Sequence, residues 1–328
     1  MKHRITQSLL FTIHFSLFTL LLTSCDYKEL CYDHNHLTNL ELTFDWAQAE
    51  EANPEGMTVQ FYDLTAPAAD PVRYDLKGRY GGQIELLPST WNAVAYNYDT
   101  ETILYRGMES IETLEAYTRE SSIEEGTQIQ TRAEMPRPAE AQDQPVILEP
   151  DMLYGAVGQA FTLDFDAPER IVTLQSQERV CDVVITIHNV PNLNYTSQFG
   201  GALTGLSPSV FMHSARLGEG LVTEAFTAQE IDETTLQMEF RIFGHCPHHD
   251  EGIVNTHLLT IYAILADGSK WYYTVDITDE MHQDSPESDE YHINLDIDGL
   301  PIPKPIVNGS GFQPSIDGWQ SIEIDVKM

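Results

Sequence analysis

The densest grouping of metal-ligand side chains is His245-Cys246-Pro247-His248-His249-Asp250. Imidazole, thiolate and carboxylate are the groups that hold zinc, which takes about four of them, commonly as pairs at defined spacing. Adjacent side chains on one short loop cannot all face one ion, and no second CxxC or HxxxH pair exists to complete the shell. His34 and His36 could add ligands, but nothing in the sequence brings them near. His245, His248, His249 and Asp250 are therefore only weak candidates, and no metal or other cofactor is expected. Asn294-Leu295-Asp296-Ile297-Asp298-Gly299 matches the opening of a calcium loop, yet its twelfth position is Pro305 where a bidentate Glu is required. Asp298-Gly299 is more simply a turn at a strand end. Nucleophile motifs are missing as well: there is no GxSxG, no HExxH and no phosphate-cradling glycine loop, and Gly205-Leu206-Ser207-Pro208 lacks the closing glycine of an elbow. No enzymatic activity is expected. Trp91, Tyr96 and Tyr98, or Trp271, Tyr272 and Tyr273, could form a sugar-stacking platform. In a β-sandwich such residues more often pack in the core or across strands.

One further cysteine has a chemistry of its own. A basic head (Lys2, His3, Arg4) precedes an apolar run from Leu9 to Leu22, which fits a signal-peptide core and is too short to span a bilayer. Leu21-Leu22-Thr23-Ser24-Cys25 follows and resembles the bacterial lipobox. There the thiol is diacylated, the chain is cut between Ser24 and Cys25, and the freed amine is acylated. Two or more acyl chains hold a protein stably on a membrane. Residues 1–24 are read as a lipoprotein signal peptide and residues 25–36 as an acylated, polar tether. Outer-membrane lipid is then the expected partner of Cys25, with the body outside the cytoplasm. An ordinary secretory signal ending near a cysteine is the alternative.

The body these features would position is acidic. The 328 residues carry 17 Lys and Arg against 51 Asp and Glu. Losing residues 1–24 would leave a net charge of −36, because that stretch holds Lys2 and Arg4 and no acid. Such a surface repels nucleic acid and anionic headgroups, and no nucleic-acid partner is expected. If Cys25 is acylated, Cys31, Cys181 and Cys246 remain, an odd number that allows at most one bridge. Packing must hold the fold.

Strand patterns dominate. Leu40, Leu42, Phe44 and Trp46 alternate, then Met57, Val59 and Phe61, with further strands over Gln83–Leu87, Trp91–Tyr98 and Thr102–Tyr105. Phe161, Leu163 and Phe165 alternate in the second half, and Val180–Val190 does so with Cys181, Val183, Ile185 and Ile187 as its expected buried set. Leu258–Leu265 and Trp271–Ile277 flank Asp267-Gly268-Ser269, a hairpin signal. Ser321–Met328 closes the chain with Ile322, Ile324 and Val326 against Glu323, Asp325 and Lys327. Many short strands with little helix predict an all-β protein of two tandem sandwich domains, 37–158 and 159–328. Residues 118–145, rich in Glu, Gln, Thr, Ala and Pro, are expected to form an exposed, flexible loop of the first domain.

Seven stretches in order carry a family resemblance: Cys25-Asp-Tyr-Lys-Glu-Leu-Cys31-Tyr-Asp-His34, Phe44-Asp45-Trp46, Gly56-Met57-Thr-Val59-Gln-Phe61-Tyr62, Tyr96-Asn97-Tyr98-Asp99-Thr100, Pro150-Asp151-Met152-Leu153-Tyr154-Gly155, Gly201-Ala-Leu-Thr-Gly205-Leu, and Gly311-Phe312-Gln313-Pro314 with Gly318-Trp319. Together they resemble the fimbrillin superfamily of gut and oral anaerobes, and within it the lipoproteins related to the minor-fimbrium anchoring subunit. The resemblance implies transthyretin-like, Greek-key sandwiches, a structural role in cell adhesion, and fimbrial subunits as partners. It also implies that shaft subunits lose their first strand to an Arg-specific cut, which opens a groove for a neighbour's strand. No Lys or Arg lies between Lys28 and Arg73 here, so such a cut could not remove the first strand without the second. A basal or accessory subunit that keeps its N-terminus is expected, with Ile322, Ile324 and Val326 as the candidate partner strand. A surface glycan-binding lipoprotein of a polysaccharide-uptake system is the second reading.

Overall fold

The computed structural model describes residues 37–164, 170–245, 254–282, 291–305 and 318–322. Its strands in the first half are β1 (Thr38–Asp45), β2 (Gly56–Asp63), β3 (Val72–Lys77), β4 (Gly81–Leu86), β5 (Thr90–Asn97), β6 (Leu104–Arg106), β7 (Glu115–Tyr117), β8 (Val146–Ile147) and β9 (Tyr154–Val157). Then come β10 (Phe161–Thr162), β11 (Arg170–Glu178), β12 (Cys181–His188), β13 (Thr196–Leu206), β14 (Ser209–Phe211), β15 (Val222–Thr227), β16 (Gln229–Asp232) and β17 (Thr235–Ile242). Finally β18 (Leu258–Leu265), β19 (Lys270–Asp276), β20 (His292–Asp298) and β21 (Trp319–Ser321) complete an all-β protein.

The first sheet runs β3-β2-β5-β9-β11-β1-β4, with β10 added on β5. Alternation in β1 puts Leu40 and Leu42 wholly inside and turns Asn39 and Glu41 outward, as the two-residue strand period requires. The sheet curls until its two ends meet, where the Tyr74 hydroxyl of β3 donates to the Glu85 carbonyl of β4 at 2.5 Å. Leu40, Phe61, Trp91 and Leu174 fill the space it encloses.

The second half packs a four-stranded sheet, β16-β17-β12-β20, against a six-stranded one, β21-β19-β18-β13-β15-β8. Val183, Ile185 and Ile187 point inward from β12 as the sequence pattern requires, and Cys181 is only partly buried at the rim. They meet Leu203, Phe226 and Ile261 of the opposite sheet. The hairpin at Asp267-Gly268-Ser269 forms, joining β18 to β19, with Gly268 at φ 80°.

The halves are interleaved, and the boundary drawn at 158/159 does not follow the sheets. β10 and β11 lie beyond it yet belong to the first sheet, where β11 pairs in parallel with β1. In the other direction β8 pairs in parallel with β15 of the second half. A third small sheet, β14-β7-β6, takes strands from both halves. At its heart the Glu115 carboxylate accepts two hydrogen bonds from Arg106, each 2.6 Å, and one from the Ser209 hydroxyl. Leu114, Leu153, Val180, Val210, Met212 and Phe243 make the apolar seam beside it.

Residues 118–145 are not the exposed loop that their composition suggested. They form a strap across the outer face of the six-stranded sheet. Ser122 caps the short helix Ile123–Thr127 by accepting from the Glu125 N–H, an S-x-x-E start. Ile123, Ile129 and Met135 are buried against Ala202, Ala225 and Tyr262, and the Tyr262 hydroxyl donates to the Pro136 carbonyl at 2.7 Å. A side chain at Gly126 would collide with the Ala225 carbonyl, so the strap lies backbone-on-backbone there. Three apolar residues spaced six apart match neither helix nor strand periodicity, which is why the pattern stayed hidden.

Because Ile129 is 3% exposed, Ile129→Ala should cost about 2–4 kcal/mol in urea unfolding. A loss below about 0.5 kcal/mol, typical of surface positions, would contradict the strap.

Candidate functional site

Of the weakly nominated metal ligands, His245 is described, and it stands beside two histidines that the sequence argument did not connect with it. His245 follows β17, His257 immediately precedes β18, and His282 follows the helical turn Thr278–Met281 after β19. One ligating atom of each lies within 4.8 Å of those of the other two. The rings contact pairwise, with centroids 5.5 Å apart for His245–His257, 5.1 Å for His245–His282 and 5.0 Å for His257–His282. His248, His249, Asp250 and Cys246 lie outside the described residues, as do His34 and His36.

The backbone fixes His257 on every side. Its N–H donates to the Thr278 hydroxyl at 2.9 Å, its carbonyl accepts from the Ile277 N–H at 3.0 Å, and its Nδ1 lies 3.1 Å from the Thr204 carbonyl. A carbonyl can only accept, so Nδ1 carries the proton and Nε2 the lone pair. Gly205 lets the backbone come this close, since at φ 81° any side chain would collide with the Thr256 carbonyl and approach His257 Nδ1. His257 is wholly buried, and its Nε2 has no hydrogen-bond partner among the described residues. Burial pushes its pKa down to about 4, outweighing the Thr204 hydrogen bond that favours the charged form. The ring is neutral at physiological pH. His282 repeats the arrangement, with Nδ1 donating to the Thr278 carbonyl at 2.6 Å.

The other nominated residues are placed differently. Asp296 and Asp298 sit on β20, where Asp296 meets His188 Nε2 at 2.8 Å and Asp298 accepts from the Asn189 amide. Gly299 follows at φ 83°, as a turn requires. The proposed sugar platforms do not form. Trp91, Tyr96 and Tyr273 are core residues, and Trp91 Nε1 donates to the Leu87 carbonyl at 2.9 Å. Trp271 and Tyr272 are half-buried on β19, and Tyr98 alone is well exposed. An acidic cleft of about 400 Å³ is lined by Asp99, Glu101 and Asp151. Asp99 and Asp151 are already engaged there by backbone N–H groups of Glu55, Glu101 and Thr102.

Strand edges are the other places where a structural protein can act. β1 is not an edge: it pairs with β11 on one side and β4 on the other. β16 is an edge, but it is four residues long and exposed throughout, with Glu230 and Asp232 discouraging casual pairing. β21 pairs in parallel with β19 at the margin of its sheet, and Ile322 packs partly against the second core. Ile324 and Val326 lie outside the described residues, as do Ser24 and Cys25.

These sheets, curled or paired around apolar cores, define an all-β sandwich protein. The chain belongs to the DUF5119 family, a domain of unknown function, which matches residues 24–227. A Bacteroides ovatus protein provisionally named fimbrium anchoring subunit Fim4B is 25% identical to it, over 92% of each chain. Among solved structures, a candidate adhesin of Bacteroides ovatus superposes with a TM-score of 0.60 at 19% identity, covering 86% of this chain and 99% of that one. Candidate polysaccharide-binding proteins of Bacteroides thetaiotaomicron reach 0.50 at 10% identity, covering 80% and 90%. Both likenesses concern the fold.

One buried acid gives this architecture a pH signature. Glu224 of β15 is wholly enclosed on the face that Val222 and Phe226 turn toward the four-stranded sheet, with no hydrogen-bond partner for either oxygen among the described residues. Burial first, then the Glu149 carboxylate, raises its pKa well above the ordinary value. A carboxyl protonated when folded and ionised when unfolded favours folding below its unfolded pKa, about 4.3, and that benefit is lost as pH rises toward the folded pKa. Glu224→Gln should therefore match the parent near pH 4 and exceed its stability at pH 8, the gap opening by up to about 1.4 kcal/mol per pH unit. A gap independent of pH in denaturant titrations would refute this.

Proposed function

We propose that this chain is a non-enzymatic surface lipoprotein that serves a fimbrium as its anchor or as an accessory subunit. Acyl chains on Cys25 would hold it in the outer membrane, and fimbrial subunits would be its partners. The observation that carries the reading is the position of β1. Leu40 and Leu42 are wholly buried, and the strand is hydrogen-bonded on both sides. The first Lys or Arg after Lys28 is Arg73, inside β3 and engaged with Asp75 at 3.0 Å. A cut there would strip β1 and β2 from the middle of the sheet, so the body is built to retain its N-terminal end. The name of the Bacteroides ovatus relative agrees with that reading.

The glycan-binding alternative loses its ground because Trp91, Tyr96 and Tyr273 are interior. For partner capture we propose the last segment. β21 lies at the margin of its sheet, where an added strand would gain main-chain hydrogen bonds and pockets for alternate side chains. Ile322 packs partly against the chain's own core, and Ile322, Ile324 and Val326 are the residues we propose as the partner strand.

Cys25→Ala should release the protein, and any fimbriae it holds, from cells into the medium; retention on cells would overturn the anchor. In limited digestion by an Arg-specific protease, β1 and β2 should stay with the folded body under conditions that mature shaft subunits. Deleting 323–328 should weaken capture of a fimbrial subunit while leaving the thermal midpoint nearly unchanged. Undiminished capture would rule out the terminal strand.

A further inference from the structure

We propose that His245, His257 and His282 bind one divalent transition-metal ion, zinc foremost, and that this ion staples the two sheets of the second half together at one end. The three ligands come from the end of β17 in the four-stranded sheet and from the flanks of β18 and β19 in the six-stranded one. A single ion at their meeting point would add a cross-link between the sheets beside a backbone hydrogen bond already there, from the Ser207 N–H after β13 to the Gly244 carbonyl at 2.9 Å.

The ligand chemistry favours a metal over simple packing. Histidines that bind metal commonly donate their other ring N–H to a carbonyl or carboxylate, which fixes the tautomer and orients the ring. His257 and His282 both do this, through the Thr204 and Thr278 carbonyls. The Nε2 of His257 is then a lone pair sealed from water with nothing to accept from among the described residues. Leaving a buried acceptor unsatisfied costs about 1–3 kcal/mol, and a Lewis acid at that point removes the cost. Three imidazoles with no carboxylate among them select zinc and its neighbours over calcium or magnesium. Water would fill the fourth position.

The distances need only a small adjustment. A tetrahedral zinc shell with Zn–N bonds of about 2.0–2.1 Å sets its nitrogens about 3.4 Å apart. The ligating atoms now stand within 4.8 Å of one another. His257 is held by the backbone, so the partly exposed rings of His245 and His282 supply the closure through side-chain rotation.

The test uses the full-length chain in detergent, stripped with a chelator and kept in excess Mg2+ so that surface carboxylates are occupied. Zinc chloride should be taken up saturably at one ion per chain and should raise the thermal midpoint. Co2+ in its place should give the visible d–d bands of a tetrahedral site. His245→Gln and His282→Ala, both at partly exposed positions, should keep the parent circular dichroism, lose the cobalt bands and weaken zinc binding by at least about tenfold. The proposal is overturned if the parent takes up no stoichiometric zinc. It is equally overturned if the His245→Gln/His282→Ala double variant binds as tightly as the parent, which would assign the ion to ligands such as His248 and His249.

Discussion

The architecture depends on a carboxylate that has been taken out of water. Glu115 is almost fully enclosed, and it is kept ionised by the bidentate Arg106 guanidinium and the Ser209 hydroxyl, with the Arg106 hydrogen bonds the largest influence lowering its pKa. An enclosed carboxylate without such partners is disfavoured, and the half-exposed Arg106 guanidinium supplies the strongest of them. Arg106 and Glu115 belong to β6 and β7 of the first half, Ser209 to β14 of the second. The electrostatic demand of one side chain thus fixes how the halves meet. Around it the chain crosses twice more: β11 returns to the first sheet, and the strap with β8 reaches over to the second.

That interleaving changes how functional features should be viewed. A body made of separable beads would flex between them and let each act alone. Here Leu153, Val180 and Met212 form one apolar seam drawn from both sides of the crossing. The N-terminal strand, the buried Glu224 and the histidine cluster therefore belong to a continuous framework.

The sequence was most readable where packing is one-sided and regular. β1, β12, the β18–β19 hairpin and the run of inward residues at Val183, Ile185 and Ile187 follow strict alternation, so period alone located them. Sheet membership was less readable. Nothing in Arg170–Glu178 says that it will pair in parallel with a strand 130 positions earlier. The strap escaped notice because polar residues outnumber its three anchors. The histidine cluster was legible in principle, and the signal was hairpin arithmetic. Leu258 pairs with Asp276 across Asp267-Gly268-Ser269, so His257 must stand beside Ile277, and one helical turn brings His282 back over it. Only the approach of His245 from the opposite sheet needed the three-dimensional structure.

The placement of β1 has a mechanical consequence. A tension applied to the chain just ahead of Thr38 runs along the axis of that strand. Its rungs to β4 and β11, on both flanks, would then be strained side by side in shear, and none could yield first as in an opening zipper. Leu40, Leu42 and Phe44 would have to slide past their neighbours at the same moment. Rungs loaded together in this way share a pull that an unzipping edge would meet one at a time. Any load that reaches the body through its N-terminal end would place that demand on β1 first.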